Sequence, residues 1–211
     1  MDIGVIGEII TIIAILAVSI TTHEFMHGFI ADRLGDDTAR LSGRLTLNPL
    51  KHVDPFLTVA MPLFLHLAGL PPFGAAKPVP FNPSRLRNGE TGMVMVSLAG
   101  PLTNLVLALL GGAVVRLMGA PSVAFDVMML FVIVNLAFFI FNLIPFPPLD
   151  GSRALYVLAP EPVRQLMRTI ESTGLLGVAV FIMVGFRFIG PFMGSAIGIL
   201  TEVITGVRLT Y

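Results

Sequence analysis

IGVIGEIITIIAILAVSITTHEFMHGFIADRLG, residues 3–35, decides the fold. From Ile3 to Ile20 it is an almost unbroken run of Ile, Val, Ala and Leu, long enough to enter a bilayer. The run continues without interruption into His23-Glu24-Phe25-Met26-His27. Positions i and i+4 share one face of a helix, so His23 and His27 are placed to grip a single metal ion. Glu24 lies between them, where it can take a proton from water activated by that ion. On a soluble helix such a pentapeptide can be a surface accident. Here it extends an apolar helix, where ionisable groups are costly and mark function. The spacing predicts a first helix from Ile3 to Leu34, stopped by Gly35.

Composition bounds the rest. Of 211 residues, 55% are hydrophobic and 12% charged, against about 25% charged in ordinary globular chains. The mean hydropathy is +0.90. These values imply an all-α, multi-pass membrane protein with one domain over residues 1–211. Its catalytic core covers about 3–153, and one or two C-terminal helices cover about 172–207. Cysteine is absent, which excludes disulfides and thiolate metal sites. Trp is absent and the only Tyr residues are Tyr156 and Tyr211, so no aromatic belt marks the interfaces. Net charge is zero and no basic cluster points to nucleic acid. The first apolar run has neither a basic flank before it nor a small-residue cleavage site after it, and reads as a retained helix.

Further spans are expected over Gly92–Met118, Ser122–Ile144 and Leu175–Ile189, with Phe192–Val207 a candidate to span back. Between the first two helices lie a polar segment, Asp36 to Asp54, a short apolar stretch, Pro55 to Leu70, and a Pro/Gly-rich loop to Thr91. Leu45-Thr46-Leu47 alternates like a short strand and reads equally as plain loop. As a strand, it would offer an edge for an unwound substrate. Pro145-Phe146-Pro147-Pro148 breaks the third helix just before Leu149-Asp150-Gly151. Ser152 is a candidate cap for a short interfacial helix, and Glu161–Glu171 is expected at the interface.

Whether Pro55–Leu70 crosses is a question of parity. If it does not, then Arg33, Arg40, Arg44, Lys51, Lys77, Arg85, Arg87, Arg153, Arg164, Arg168 and Arg208 share one side, and only Arg116 and Arg187 lie on the other. That bias would make the richer side cytoplasmic. A crossing would erase it. It would also place Asp150 about 30 Å from the two His. The stretch is therefore expected not to span.

Two His and one carboxylate form a catalytic zinc set with a position left for water. Asp150 is the best carboxylate available, since Asp32 falls on another helical face and Asp36 and Asp37 lie in the loop. An ordinary turn or cap role for Asp150 stays open at this level. Asn142, Asn135 and Asn104 are intramembrane amides that either join helices or donate to a developing oxyanion. Asn142, eight residues before Asp150, is the candidate donor, and the other two read as helix-to-helix contacts. His52 reads as solvated and His66 as structural. Gly100-Pro101 is expected to let its helix approach its neighbours closely.

HEFMH at 23–27, AGPLTN at 99–104 and NLIPFPPLDG at 142–151 together resemble the site-2 protease family of zinc intramembrane metalloproteases. GRLTLNPLKHVDP at 43–55 and AKPVPFNP at 76–83 look like its short bacterial and archaeal branch, without PDZ or CBS domains. The resemblance implies His23, His27 and Asp150 as ligands of one Zn2+ per chain, Glu24 as the base, and Asn142 as an aid to the oxyanion. It implies three core helices in a cell membrane, a site reached from the cytoplasmic side, and transmembrane proteins as substrates. The oligomeric state is not implied. The rival class is a non-proteolytic metal-binding membrane protein or a transporter. A transporter would be expected to show repeats or several intramembrane charges, and neither is present.

Overall fold

The computed structural model describes residues 4–54, 60, 64, 77–119, 121–174, 177, 181 and 185–208. The apolar runs are helices. α1 covers Gly4–Arg33, α2 is a single turn at Thr38–Leu41, and α3 covers Gly89–Met118. α4 is Val123–Asn142, α5 is Asp150–Leu158, α6 is Glu161–Ser172 and α7 is Phe186–Thr205. Four of them, α1, α3, α4 and α7, are long and apolar enough to cross a membrane. The architecture is that of an all-α, multi-pass membrane protein.

Local chemistry sets the helix ends. Gly35 takes a φ of +103° past the end of α1, a conformation that favours glycine. This lets the Asp36 N–H return to the Ala31 carbonyl at 2.9 Å. The Ser122 hydroxyl accepts the Phe125 N–H and caps α4. Ser152, expected as a cap, sits inside α5 instead, where its hydroxyl donates to the Leu149 carbonyl at 2.6 Å. In α6 the apolar residues Val163, Leu166, Met167 and Ile170 recur at helical spacing on one face, as an interfacial helix requires.

The bundle is apolar outside and partly polar inside. Ile6, Ile10 and Ile13 of α1 are exposed, as are Leu110 of α3 and Phe192 of α7, whereas Ser19, Asn104, Asn135 and Thr201 are fully buried. That distribution suits hydrocarbon rather than water. α3, α4 and α7 share a core of Ala108, Val115, Met129, Val132 and Leu136. Glycines allow the close approach. A Cβ on Gly112 would stand 2.1 Å from Ile204 Cγ2. A second cluster, Ala31, Leu86 and Val96, joins the end of α1, the loop and the start of α3.

Two expectations change. Leu45-Thr46-Leu47 is not a strand, and no strand forms among the described residues. The chain bends at Leu45 and Thr46, and the Thr46 N–H turns back to the Arg44 carbonyl at 3.0 Å. The second concerns the C-terminal helix, expected to run back towards the metal side over Phe192–Val207. Arg116, at the far end of α3, donates to the carbonyls of Ile204 and Val203. Phe146, beside the metal-side loop, stacks on Phe181 with ring centroids 4.2 Å apart. α7 therefore starts on the metal side and ends on the far side, because the end of a helix must lie beside the carbonyls it offers. Arg187 and Arg208 exchange sides, and the eleven-to-two split survives with those two swapped. Most of the expected span Leu175–Ile189 lies outside the described residues, as does Pro55–Leu70 apart from Ala60 and Phe64, and with it His66. The flanks of the latter stretch meet on one side, where the Lys77 N–H donates to the His52 carbonyl at 2.9 Å.

Candidate metal centre

His23 and His27 project from one face of α1 towards α3. On α3 the matching face is Val96, Gly100 and Asn104, also spaced by four. The helices run antiparallel, so the two rows meet in register. His27 Nδ1 lies 2.7 Å from the Val96 carbonyl and His23 Nδ1 lies 2.6 Å from Asn104 Oδ1. The orientation of the Asn104 amide is fixed by its other contacts. Its Nδ2 donates to the Ser19 carbonyl at 3.2 Å and to Asn135 Oδ1 at 2.9 Å. Asn135 in turn donates to the Phe131 carbonyl at 2.9 Å. Both Nδ1 atoms thus face acceptors and carry the ring hydrogens, which leaves both Nε2 atoms as bare lone pairs.

Those lone pairs converge. The two Nε2 atoms are 3.0 Å apart. Asp150 Oδ2 lies 3.1 Å from His23 Nε2 and 3.2 Å from His27 Nε2. Asp150 is the first residue of α5 and arrives through a tight turn. A Cβ on Gly151 would stand 2.3 Å from the Leu143 carbonyl oxygen. Three acceptors with no hydrogen among them repel one another unless a cation joins them. Tetrahedral Zn–N and Zn–O bonds of about 2.0–2.1 Å place ligand atoms about 3.3–3.4 Å apart, close to the triangle seen here. Gly100 supplies the room. A Cβ there would stand 2.4 Å from His27 Nε2 and 2.6 Å from His23 Nε2. The donor set and its cradle fit a small divalent cation. Among the described residues it is also the one group of three or more His and acidic side chains that could hold an ion.

The nearer aspartates are engaged elsewhere. Asp32 pairs with Arg40 at 2.8 Å and Asp37 with Arg85. Asp36 is fully buried and accepts the Asn82 N–H at 2.5 Å and the Thr38 hydroxyl at 2.5 Å. Burial opposes its charge, but the bonds from Thr38 and Asn82 outweigh it and hold the pKa below the ordinary value of 3.8.

Glu24 Oε2 accepts the Val79 N–H at 2.9 Å. Asn142, at the end of α4, donates to the Phe138 carbonyl at 3.0 Å and keeps a second N–H. His52 is buried rather than solvated, with Nε2 2.9 Å from the Thr46 carbonyl. Three contributions escaped the sequence reading: Asn104 as the partner of His23, Gly100 as the cradle, and the N–H of Val79 on Glu24. The first two had a signal, since the four-residue spacing of Gly100 and Asn104 copies that of His23 and His27.

Comparison with known proteins agrees with this geometry. "Putative zinc metalloprotease YwhC" of Bacillus subtilis is 42% identical over 170 residues, covering 76% of this chain and 74% of that protein. The chain belongs to this zinc metalloprotease family. "Putative zinc metalloprotease Rip2" of Mycobacterium tuberculosis is 38% identical over 166 residues, of which this chain spans 62% of the relative's length. The Rip2 of Mycolicibacterium smegmatis is 35% identical over 182 residues, covering 84% of this chain and 68% of the relative. No family model and no solved structure matches the chain.

Proposed function

We propose that the protein is a zinc-dependent intramembrane endopeptidase of the site-2 type, which hydrolyses peptide bonds in transmembrane segments of other membrane proteins. The observation that carries the reading is the convergence of His23 Nε2, His27 Nε2 and Asp150 Oδ2 within 3.2 Å of one another, on a helix made for hydrocarbon. One Zn2+ per chain fits that triangle. When bound it supplies Lewis acidity, which acidifies water and polarises the scissile carbonyl.

The residues of the chain do the rest. His23 and His27 are aimed by Asn104 and the Val96 carbonyl. Glu24, its Oε2 held by Val79, takes the proton of the attacking water and returns it to the leaving amine. Asn142, with one amide hydrogen uncommitted within its own helix, donates to the oxyanion. His23 lies ten residues before the end of α1, about 15 Å along a helix, which sets the chemistry below the surface of the bundle. A substrate helix must unwind to offer its carbonyls there. The reading that this end of the bundle faces the cytoplasm of a cell-membrane protein is supported by the positive-inside bias, with eleven of thirteen basic residues on the metal side.

Glu24→Gln tests the reading. It should retain one zinc per chain and lower cleavage of a synthetic transmembrane peptide by about 10²–10⁴-fold. A variant that still cleaves would refute the mechanism. A wild-type protein that binds zinc and cleaves no membrane segment would favour the non-proteolytic reading.

A further inference from the structure

We infer that Arg44 is a positioning residue for Glu24, acting through the segment Lys77–Phe81 as a strap laid across the base. The inference rests on the proteolytic reading of the site.

The strap is extended because its sequence allows little else. Lys-Pro-Val-Pro places a proline after both Lys77 and Val79, and a residue before proline is pushed away from the helical region. Pro78 and Pro80 also lack N–H groups, so Val79 carries the single donor of the triplet. That donor meets Glu24 Oε2 at 2.9 Å. It leaves the other carboxylate oxygen for proton transfer and fixes the rotamer of a side chain that would otherwise swing freely.

Something must hold the strap there, and Arg44 does so from below. Its side chain is buried. One Nη donates to the Lys51 carbonyl, and the other to the carbonyls of Lys77 at 2.5 Å and Pro78 at 3.4 Å. Arg44 thus ties the two ends of the inter-helix excursion together, one residue upstream of the N–H that touches the base. Its fork reaches several carbonyls at once, which a lysine cannot reproduce. A buried guanidinium is costly unless its donors are satisfied; the three carbonyls satisfy both Nη groups, while Nε has no partner among the described residues. From above, the strap rests on Gly28, one helical turn past Glu24. A Cβ there would stand 3.0 Å from Val79 Cγ1. Downstream, the Arg153 guanidinium lies 5.1 Å from the Phe81 ring, which links the strap to α5 and hence to Asp150.

The test uses the full chain in detergent with a synthetic fluorogenic transmembrane peptide, bound zinc measured in the same samples. Arg44→Ala should lower kcat at least tenfold with KM and zinc content unchanged, and Arg44→Lys should restore part of it. Val79→Pro, which removes the N–H from an already proline-rich segment, should lower kcat similarly. The double variant should be no worse than Val79→Pro alone, because both act on one link. Hydrogen exchange of the peptide covering 77–81 should quicken in Arg44→Ala. Wild-type kcat in Arg44→Ala, multiplied losses in the double variant, or zinc lost in step with kcat would each overturn the inference. If the wild type fails to cleave, or Glu24→Gln still does, the proteolytic reading fails instead. Exchange at 77–81 still decides the link then, and an unchanged rate in Arg44→Ala refutes it.

Discussion

The two flanks of one helical turn are held by different means. On the metal flank, His23 and His27 meet the side of α3 and are aimed by a helix carbonyl and a buried amide. On the other flank, the Glu24 carboxylate meets a loop. It is held by one backbone N–H of a loop, itself held by Arg44 and Asp36. Helix-on-helix packing is close and cannot yield without moving the bundle. A loop fixed by hydrogen bonds can shift at modest cost. The protein therefore has a stiff metal cradle and a separately adjustable base, and substitutions should sort accordingly. Metal-flank changes should alter zinc binding first. Base-flank changes should alter turnover with zinc in place.

The sharpest break is Gly100→Ala. Its methyl would stand 2.4 Å from His27 Nε2, so α3 must retreat or the imidazoles must turn. Zinc and activity should vanish together, by metal analysis and peptide cleavage. A Gly100→Ala protein with full zinc would show the cradle to be looser than its geometry implies. Next comes Asn104→Ala, which strips the acceptor from His23 Nδ1 and leaves a void among buried polar groups. Zinc affinity should fall about 10–100-fold in a chelator competition, and Asn104→Asp, which keeps an acceptor, should recover part of it. Equal affinities in wild type and Asn104→Ala would remove the amide from the account.

On the base flank, Gly28→Ala should act more mildly. The added carbon would meet Val79 Cγ1 at 3.0 Å and Ala39 Cβ at 3.1 Å, so the strap must lift by a few tenths of an ångström. Turnover should drop several-fold, since small misplacements of a catalytic group are amplified in rate, with zinc stoichiometric. Zinc loss in Gly28→Ala would mean that the flanks are not separable.

That division also explains what the sequence could disclose. Residues on regular helices announce their neighbours by spacing. The four-residue interval gives the metal face of α1, and the same interval at Gly100 and Asn104 gives the surface opposite. Parity of crossings brings Asp150 to the same side as the His pair. The loop obeys no such period. Leu45–Leu47 alternates like a strand yet bends, because Arg44 draws its neighbours inward towards the Lys51 and Lys77 carbonyls. His52, in a charged stretch, is buried by that same fold-back. The direction of α7 was hidden for a related reason. Apolar length says that a helix can cross but not which way, and the deciding contact, Arg116 on the carbonyls of Val203 and Ile204, joins residues far apart in sequence.

The smallest expected effect concerns the downstream anchor of the strap. Asp36 is buried and its carboxylate accepts from Asn82, the Thr38 N–H and the Thr38 hydroxyl. These bonds lower its pKa against the effect of burial. The folded state therefore binds the Asp36 proton less readily than the unfolded chain does. Its contribution is fully present above the ordinary value of 3.8 and is lost as pH falls through the lower folded value. Asp36→Asn keeps the shape but replaces acceptors with a donor facing the Asn82 N–H. It should cost about 1–3 kcal/mol at neutral pH and leave zinc content unchanged. The gap in melting temperature between wild type and Asp36→Asn should stay flat above pH 5 and narrow towards pH 3. A gap that stays constant through that range would mean that Asp36 is not held as a carboxylate by Thr38 and Asn82, and the strap would then depend on Arg44 alone.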